Sequence, residues 1–513
     1  MKSFCKIFFL LTWIIVLFGC STRNVSSGRA VVTGTLTDSL IDGQNNTYAV
    51  ITFSFPNILL GNRVEYQTTV KPDGSFTIDL PVVSPTYSVI NVESQEYDGS
   101  VLLSPGKTTH LNLILNKTGK LDLQMIEGVE IKPEEFENIG MVNRKIMMIA
   151  AEGSNSPKIQ LPITPKAYSD SMLIKMKKDL STIYEDSILS ENLKNLLSNF
   201  LKQFYLNANF FNYEENMRSL YINSNRHEGK KDNAEAFVPQ QPDKSYYAFL
   251  QHFDLNNPPQ LNDMYYSKNL QRILSKPELA IPHIGDTPIT DWIKEVKAIL
   301  IDLTGINSGL FYDMLAAEAY INQLHDELNP LSEKQKENIQ TYFSNSSFID
   351  VLLEENKKTI LRVQQIEKNK QTNVIVNETP AVAKGELLDA IVSKYKGKAV
   401  LVDFWATWCG PCIDAMKDID SIKKEFSNKN IVFVYITNVT SPKELWEKKI
   451  QEIGNEHYYL NKKEWESITY SKQYGFNGIP TYIFFDSNGI LKNKFIGYPG
   501  NEKMRIMIKE LLP

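Results

Sequence analysis

Residues 402–416 read VDFWATWCGPCIDAM. An apolar run through Phe404 and Trp405 meets two cysteines two residues apart, Cys409 and Cys412, and a helical pattern begins directly beyond them. AVLVDFW over 399–405 is nearly all apolar. Such a run reads as a central strand buried on both faces of a sheet. From Pro411 to Phe426 the positions Ala415, Ile419, Ile422 and Phe426 share one helical side. Cys409 therefore stands where a strand ends and a helix begins. Its sulfur there faces unpaired backbone N–H groups and the positive end of the helix dipole, and both favour a thiolate. Pro411 suits the first helical turn because it has no N–H to lose, and Gly410 lets a partner backbone come close.

Three kinds of chemistry use such a pair. A structural zinc needs four ligands, yet there is no second thiol pair, and only His457 lies nearby in sequence. A purely structural disulfide closing so short a loop would stabilise weakly. A redox pair divides the labour: Cys409 attacks a partner disulfide, and Cys412, one helical turn inward, keeps its proton and then resolves the mixed disulfide.

Outward from this stretch the chain alternates as an α/β sheet does. IVFVYIT, residues 431–437, is a second buried strand, and 442–453 is a helix. Residues 481–486 form a third strand, and Asp486-Ser487-Asn488-Gly489 turns the chain into LKNKFIG before a last helix.

Residues 380–513 resemble the thioredoxin superfamily, in particular the TlpA-like and ResA-like thiol–disulfide oxidoreductases that occur as Bacteroides-type lipoproteins. Three separated features carry the resemblance: Trp408–Cys412 as WCGPC, Asp403 six residues before Cys409, and Gly478-Ile479-Pro480-Thr481. The resemblance implies a cis Pro480, flanked by Ile479 and Thr481, facing the cysteines. Asp403 is implied to be a buried acid whose pKa desolvation raises and which takes the Cys412 proton. Trp408 is implied to be a surface flank rather than a catalyst. The redox-active Cys409–Cys412 pair would be the only redox group, with no cofactor and no metal. If the thioredoxin thiol pKa of about 7 carries over, against about 8.5 for free cysteine, the shift is worth about 2 kcal/mol. The Gly-Pro pair resembles the reducing members, with potentials near about −270 mV against about −120 mV for a strong oxidant. Two departures stand out. The strand Ile431–Thr437 lacks the lysine that thioredoxin carries beside its buried acid, so proton transfer is expected to rely on water. The stretch Asn438–Asn477 is longer than a minimal thioredoxin needs, as in the TlpA branch; its Trp446, Tyr458, Tyr459 and Trp465 either shape a partner groove or pack in the core.

The other end of the chain, MKSFCKIFFLLTWIIVLFGC, sets Lys2 and Lys6 before an apolar run from Ile7 to Phe18. This is the order of a secretory signal. A helix over that run spans about 18 Å, short of the roughly 30 Å hydrocarbon core. Leu17-Phe18-Gly19-Cys20 resembles the lipobox of bacterial lipoproteins, which implies a signal peptide over 1–19 and lipidation of Cys20. Acyl chains there would hold the protein to a lipid membrane. Ser21 resembles lipoproteins sent to the outer membrane, and the chain is expected to face the periplasm of a Gram-negative bacterium. Cys5 would then leave with the signal, so only Cys409 and Cys412 of the four cysteines keep thiol chemistry. A secreted chain stabilised by disulfides would have more.

Between the two ends, 20–28 reads as a polar tether, and 29–118 as an antiparallel β-sandwich-like domain of short strands broken by turns such as Pro72-Asp73-Gly74. Asp42, Asp73 and Asp98 each precede Gly and read as turn residues rather than calcium ligands. Residues 119–165 are a connector, 166–368 an all-α middle domain, and 369–513 the thioredoxin-like domain. Ser190 can cap a helix with Leu193, Leu196, Leu197, Phe200, Leu201 and Phe204 on one face, and similar stretches cover 290–303, 309–328 and 332–366. Tyr246, Tyr247, Phe249 and Phe253 read as a core stripe. A net charge of −5 gives no footprint for nucleic acid. The expected function is a membrane-anchored periplasmic thiol–disulfide oxidoreductase that reduces a disulfide-containing protein substrate and draws electrons from a membrane donor the sequence does not identify. The rivals are a disulfide oxidase or isomerase, and a binding or scaffold lipoprotein whose redox domain only regulates it.

Overall fold

The computed structural model describes residues 28–38, 49–93, 95–116, 120–138, 163–227, 239–260, 264–344, 346–383 and 385–512. The signal peptide, Cys20, nearly all of the tether, Asp42 and part of the connector lie outside the described residues.

The N-terminal unit is two packed sheets. One has the order Ser75–Val82, Gly28–Asp38, Thr108–Leu115, Leu121–Glu127. The other runs Glu130–Ile131, Ser100–Leu103, Thr86–Val92, Val50–Asn57, Asn62–Thr69, with Gln95–Glu96 beside Thr86–Val92. Val32, Leu80 and Leu111 from the first meet Phe53, Ile90 and Val101 from the second in one core. This is the alternation that a sandwich requires. The expectation of an antiparallel domain needs one correction, because Gly28–Asp38 runs parallel to Thr108–Leu115. The chain visits the second sheet before it returns, and such a long crossover brings the two strands side by side in one direction. Their contact is close: a Cβ on Gly34 would lie 1.7 Å from the Leu111 carbonyl oxygen. Asp73 accepts from the Ser75 N–H at 2.9 Å, the local turn chemistry expected of it.

The middle region is helical. Pro165–Tyr184, Glu191–Tyr205, Met264–Ser275, Ile289–Thr304 and Leu310–His325 surround one large core. Ser190 caps the second of these by accepting from the Leu193 N–H. The stretch 332–366 is divided into Glu333–Tyr342 and Ser347–Lys368. Serines and asparagine at the break favour caps and turns over helix interior, and Ser346 is the N-cap of the second helix. Tyr246, Tyr247, Phe249 and Phe253 are buried against one another, three of them on a 3₁₀ helix, Lys244–His252. Ile58, Leu59, Val83 and Tyr87 of the β unit join this same core, so the two units share apolar surface.

The C-terminal unit contains, in order, β1 (Val374–Asn377), α1 (Leu387–Ser393), β2 (Ala399–Phe404), α2 (Gly410–Glu425), β3 (Ile431–Asn438), α3 (Lys443–Ile453), β4 (Asn455–Leu460), α4 (Lys462–Thr469), β5 (Thr481–Phe485), β6 (Leu491–Ile496) and α5 (Asn501–Leu511). The sheet order is β1-β4-β3-β2-β5-β6, with the first four parallel and the last two antiparallel. Every residue of β2 is buried, as its apolar run requires. Ile419 and Ile422 of α2, Trp446 and Ile450 of α3, and Met504 and Ile508 of α5 cover one face. Leu388 and Ile391 of α1 with Ile468 of α4 cover the other.

The helical region also meets this unit. Leu445 of α3 packs with Leu328 and Ile366, Arg362 pairs with Glu452, and Lys448 Nζ donates to the carbonyls of Glu327 and Leu328. Lys462 of α4 pairs with Glu214 at 3.0 Å.

Candidate active site

Cys409 and Cys412 are joined in a disulfide with their Cα atoms 5.3 Å apart. Cys409 is the N-cap of α2, and its sulfur accepts from the Cys412 N–H at 3.2 Å. Pro411 sits in the first turn, where no helical hydrogen bond is lost. An N-cap sulfur already holding one of the helix's free N–H groups is placed to gain that donor and the helix dipole when it becomes a thiolate.

The flanks are open while the sulfurs are covered. Cys409 is 4% and Cys412 1% exposed, so the oxidised pair does not show the contrast between a reachable and a shielded sulfur that the sequence leads one to expect. Gly410 and Pro411 are exposed, and nothing lies within 4 Å of where a Cβ on Gly410 would stand. The surface beside Cys409 is therefore open at Gly410, although the sulfur itself is covered. Trp408 is 62% exposed, and its indole N–H donates to Thr440 Oγ1 at 3.0 Å. The preceding residue is gripped twice: the Thr407 N–H donates to Ser441 Oγ at 3.0 Å, and its carbonyl accepts from Lys449 Nζ at 2.9 Å.

The Ile479–Pro480 peptide is cis. Thr481 pairs with Phe404, so the start of β5 and the end of β2 lie together, and Ile479 packs against the cluster that contains both cysteines. Thr481 is buried, and its hydroxyl donates to the Gly478 carbonyl at 2.6 Å. Sheet pairing thus carries the Ile479–Thr481 loop and the disulfide to one end of the sheet, from positions far apart in sequence.

The strand that leads to the disulfide carries an acid. Asp403 is 1% exposed, and neither carboxylate oxygen has a hydrogen-bond partner among the described residues. Burial pushes its pKa up to about 8, because the apolar surroundings disfavour the charged form. Lys423 opposes that shift. Pairing across the sheet sets Asp403 beside Tyr435 on β3, and Tyr435 beside His457 on β4. The Tyr435 hydroxyl and the His457 Nδ1 are also buried without partners among the described residues. His457 Nε2 lies 2.8 Å from the Gly454 carbonyl, which can only accept, so that nitrogen carries the proton. Burial takes the His457 pKa down to about 4, leaving the ring neutral.

Sequence reasoning missed the lysine. None stands on β3, but Lys423 reaches this row from α2, with its ammonium 5.7 Å from the centre of the Tyr435 ring and its side chain 11% exposed. It donates to the Ile453 carbonyl at 2.7 Å and pairs with Asp420 at 3.6 Å. A signal was present: position 423 follows Ile419 by four residues and Ala415 by eight, which puts it beside the buried stripe. Trp446 and Tyr458 are fully buried, and Tyr459 and Trp465 pack against the two cores, while Trp446 and Tyr459 also line a cavity beside Asn377 and Lys443. Among the described residues no three His, Cys, Asp or Glu side chains are grouped to hold a metal.

A disulfide capping the first turn of a helix, after a central strand with a buried carboxyl and at the same end of the sheet as the Ile479–Thr481 loop, defines a thiol–disulfide redox domain of α/β type. Residues 380–508 match the Redoxin family. The thioredoxin of Coprinus comatus is 33% identical over 72 residues, 14% of this chain and 68% of that protein. The thioredoxin-like protein YneN of Bacillus subtilis is 27% identical over 139 residues, 27% of this chain and 77% of that protein. Through this domain the chain belongs to the thioredoxin superfamily. A solved thiol:disulfide interchange protein of the thioredoxin family from Chlorobium tepidum is 26% identical, covering 24% of this chain and 84% of its own, with a TM-score of 0.21.

Proposed function

We propose that this protein is a thiol–disulfide oxidoreductase of the TlpA/ResA-like, Bacteroides-type lipoprotein branch. It is held to an outer membrane by lipid on Cys20, faces the periplasm, and reduces disulfides in partner proteins. The Cys409 thiolate attacks a substrate disulfide, forming one mixed disulfide and releasing one substrate thiolate. Cys412 gives its proton to Asp403 in its ionised form and attacks Cys409 Sγ, which releases the second substrate thiolate and leaves Cys409–Cys412 oxidised. Two electrons pass to the substrate in each turnover, and a membrane dithiol donor returns them. Supporting this reading are two observations on consecutive elements: a sulfur that caps the helix after the central strand, and on that strand the unpartnered buried carboxyl of Asp403.

The test is the full chain carrying Cys412→Ser, expressed in its natural compartment. It should accumulate substrate as mixed disulfides that dithiothreitol releases, whereas Cys409→Ser should trap nothing. Equal trapping by both variants, or by neither, refutes the mechanism. An equilibrium with glutathione that placed the pair above about −180 mV would overturn the reducing direction.

A further inference from the structure

The loop that delivers Cys409 is held from one side by a single segment, Thr440 to Lys449. Ser441 takes the Thr407 N–H, Lys449 takes the Thr407 carbonyl, and Thr440 takes the Trp408 indole N–H. The same helix, α3, grips the helical region through Leu445, Lys448 and Glu452. Lys449 is the residue where these two roles meet. It is only partly exposed and has no carboxylate within ion-pair distance among the described residues. The charges facing it come from both bodies: Asp326, which follows the helix Leu310–His325, Arg362 of the helix Ser347–Lys368, and Glu452 of α3 itself. Asp326 is in turn fixed by the Gln271 side-chain amide at 2.5 Å and lies beside His325 and Glu327. Burial is the main influence on the Lys449 ammonium and brings its pKa down to about 8; Arg362 lowers it further, and Asp326 and Glu452 oppose.

We propose that Lys449 is a positioning residue for the redox pair: its ammonium fixes the Thr407 carbonyl and favours the Cys409 thiolate, and the helical region governs that effect through Asp326 and Arg362. The inference rests on the reading of Cys409 as the nucleophile. Two residues of chain separate Thr407 from Cys409, which places the sulfur within roughly 10 Å of the ammonium. At an effective dielectric of about 20, a unit charge at that range is worth about 1.5 kcal/mol, or about tenfold in an ionisation equilibrium. A helix-bound cation that feels a neighbouring domain's charges gives that domain a way to set how reactive the pair is, without contacting it.

The experiment is the pH profile of iodoacetamide alkylation of Cys409 in the reduced full chain carrying Cys412→Ser, read by mass spectrometry. Lys449→Met should slow alkylation at pH 7 by about three- to tenfold and move the profile to higher pH. Lys449→Arg should restore it, and Lys443→Met, on an exposed position of the same helix, should leave it unchanged. Asp326→Asn, in the other body, should shift the profile in the same direction as Lys449→Met by a smaller factor. If Lys449→Met fails to fold, the Asp326→Asn profile decides. An unshifted profile in folded Lys449→Met, no rescue by Arg, or an unshifted Asp326→Asn overturns the inference. If the parent's Cys409 alkylates no faster than a free cysteine peptide, it is the proposed function that fails instead.

Discussion

Replacing Asp403 with Asn should stabilise the oxidised redox domain, by an amount that depends steeply on pH. The carboxyl is fully buried and keeps its proton up to about pH 8, whereas in the unfolded chain it ionises near about 3.9. Between those values the native state holds a proton that the unfolded state has shed. Stability therefore falls as pH rises from about 4, and the loss saturates above about 8. Each unit is worth about 1.4 kcal/mol, so at pH 7 the aspartate costs about 4 kcal/mol, and at pH 4 almost nothing. Lys423, the cation that acts on this carboxyl, is already included in that balance because it holds the value below what burial alone would give.

The assay is amide hydrogen exchange of the slowest peptides from β2 and β3 in the oxidised full chain, comparing variant and parent at each pH so that intrinsic rates cancel. The protection gained by Asp403→Asn should grow by roughly two to three orders of magnitude between pH 4 and pH 7. A gain that does not vary with pH would refute the reasoning, since an amide that merely packs better would help equally at both. The same variant should reduce a protein disulfide more slowly, by a factor that grows as pH rises towards about 8, because only the ionised carboxyl can accept the Cys412 proton and Asn has none to ionise. Stability and rate should thus move in opposite directions.

Lys423→Met should raise the pKa of Asp403 further, seen as a shift of its carboxyl infrared band to higher pH, while Lys424→Met on the exposed side of α2 should not move it. Gly34→Ala should disrupt the parallel pairing of the first β unit strand, because the added methyl meets a backbone oxygen rather than a flexible side chain; a loss of about 3 kcal/mol or more is expected, read as a lowered first thermal transition. Leu445→Ala should cost about 2–3 kcal/mol and loosen the helical region from the redox domain, read as faster proteolysis between residues 369 and 383. Arg362→Ala should cost less than about 1 kcal/mol, since that ion pair is partly exposed to solvent.

What could be read from the sequence follows from which interactions are local. β2 and α2 announce themselves because full burial on a central strand leaves an unbroken apolar run, and a helix packed on one side leaves its i, i+4 stripe. Cys409 and Pro411 fall at the junction for the same reason, and Asp403 is conspicuous as the one charge within the run. β4 was illegible: NEHYYL opens with polar residues, and its place between β1 and β3 depends on pairing at a distance. The parallel pairing of Gly28–Asp38 with Thr108–Leu115 is hidden likewise, since strand direction is settled by the route the chain takes between sheets and not by the residues of either strand.

The site's cations show where such reading stops. A lysine at position 423 or 449 looks like an ordinary solvated residue of an amphipathic helix, and in sequence each has lysine beside it, Lys424 and Lys448. Only tertiary packing separates them. Lys424 pairs with Asp420 at the surface, while Lys423 turns inward to the Asp403–Tyr435 row. Lys448 caps carbonyls of the helical region, while Lys449 turns to the Thr407 carbonyl. In each pair one ammonium is spent at the surface or on the neighbouring domain, and the other stands close to the redox chemistry. The difference is one helical step of about 100°, enough to move a flexible cation from one face of a helix to another. The acid and the sulfurs of this domain are thus readable from their own segment, whereas the charges that tune them are supplied by helix faces whose orientation only the assembled sheet determines.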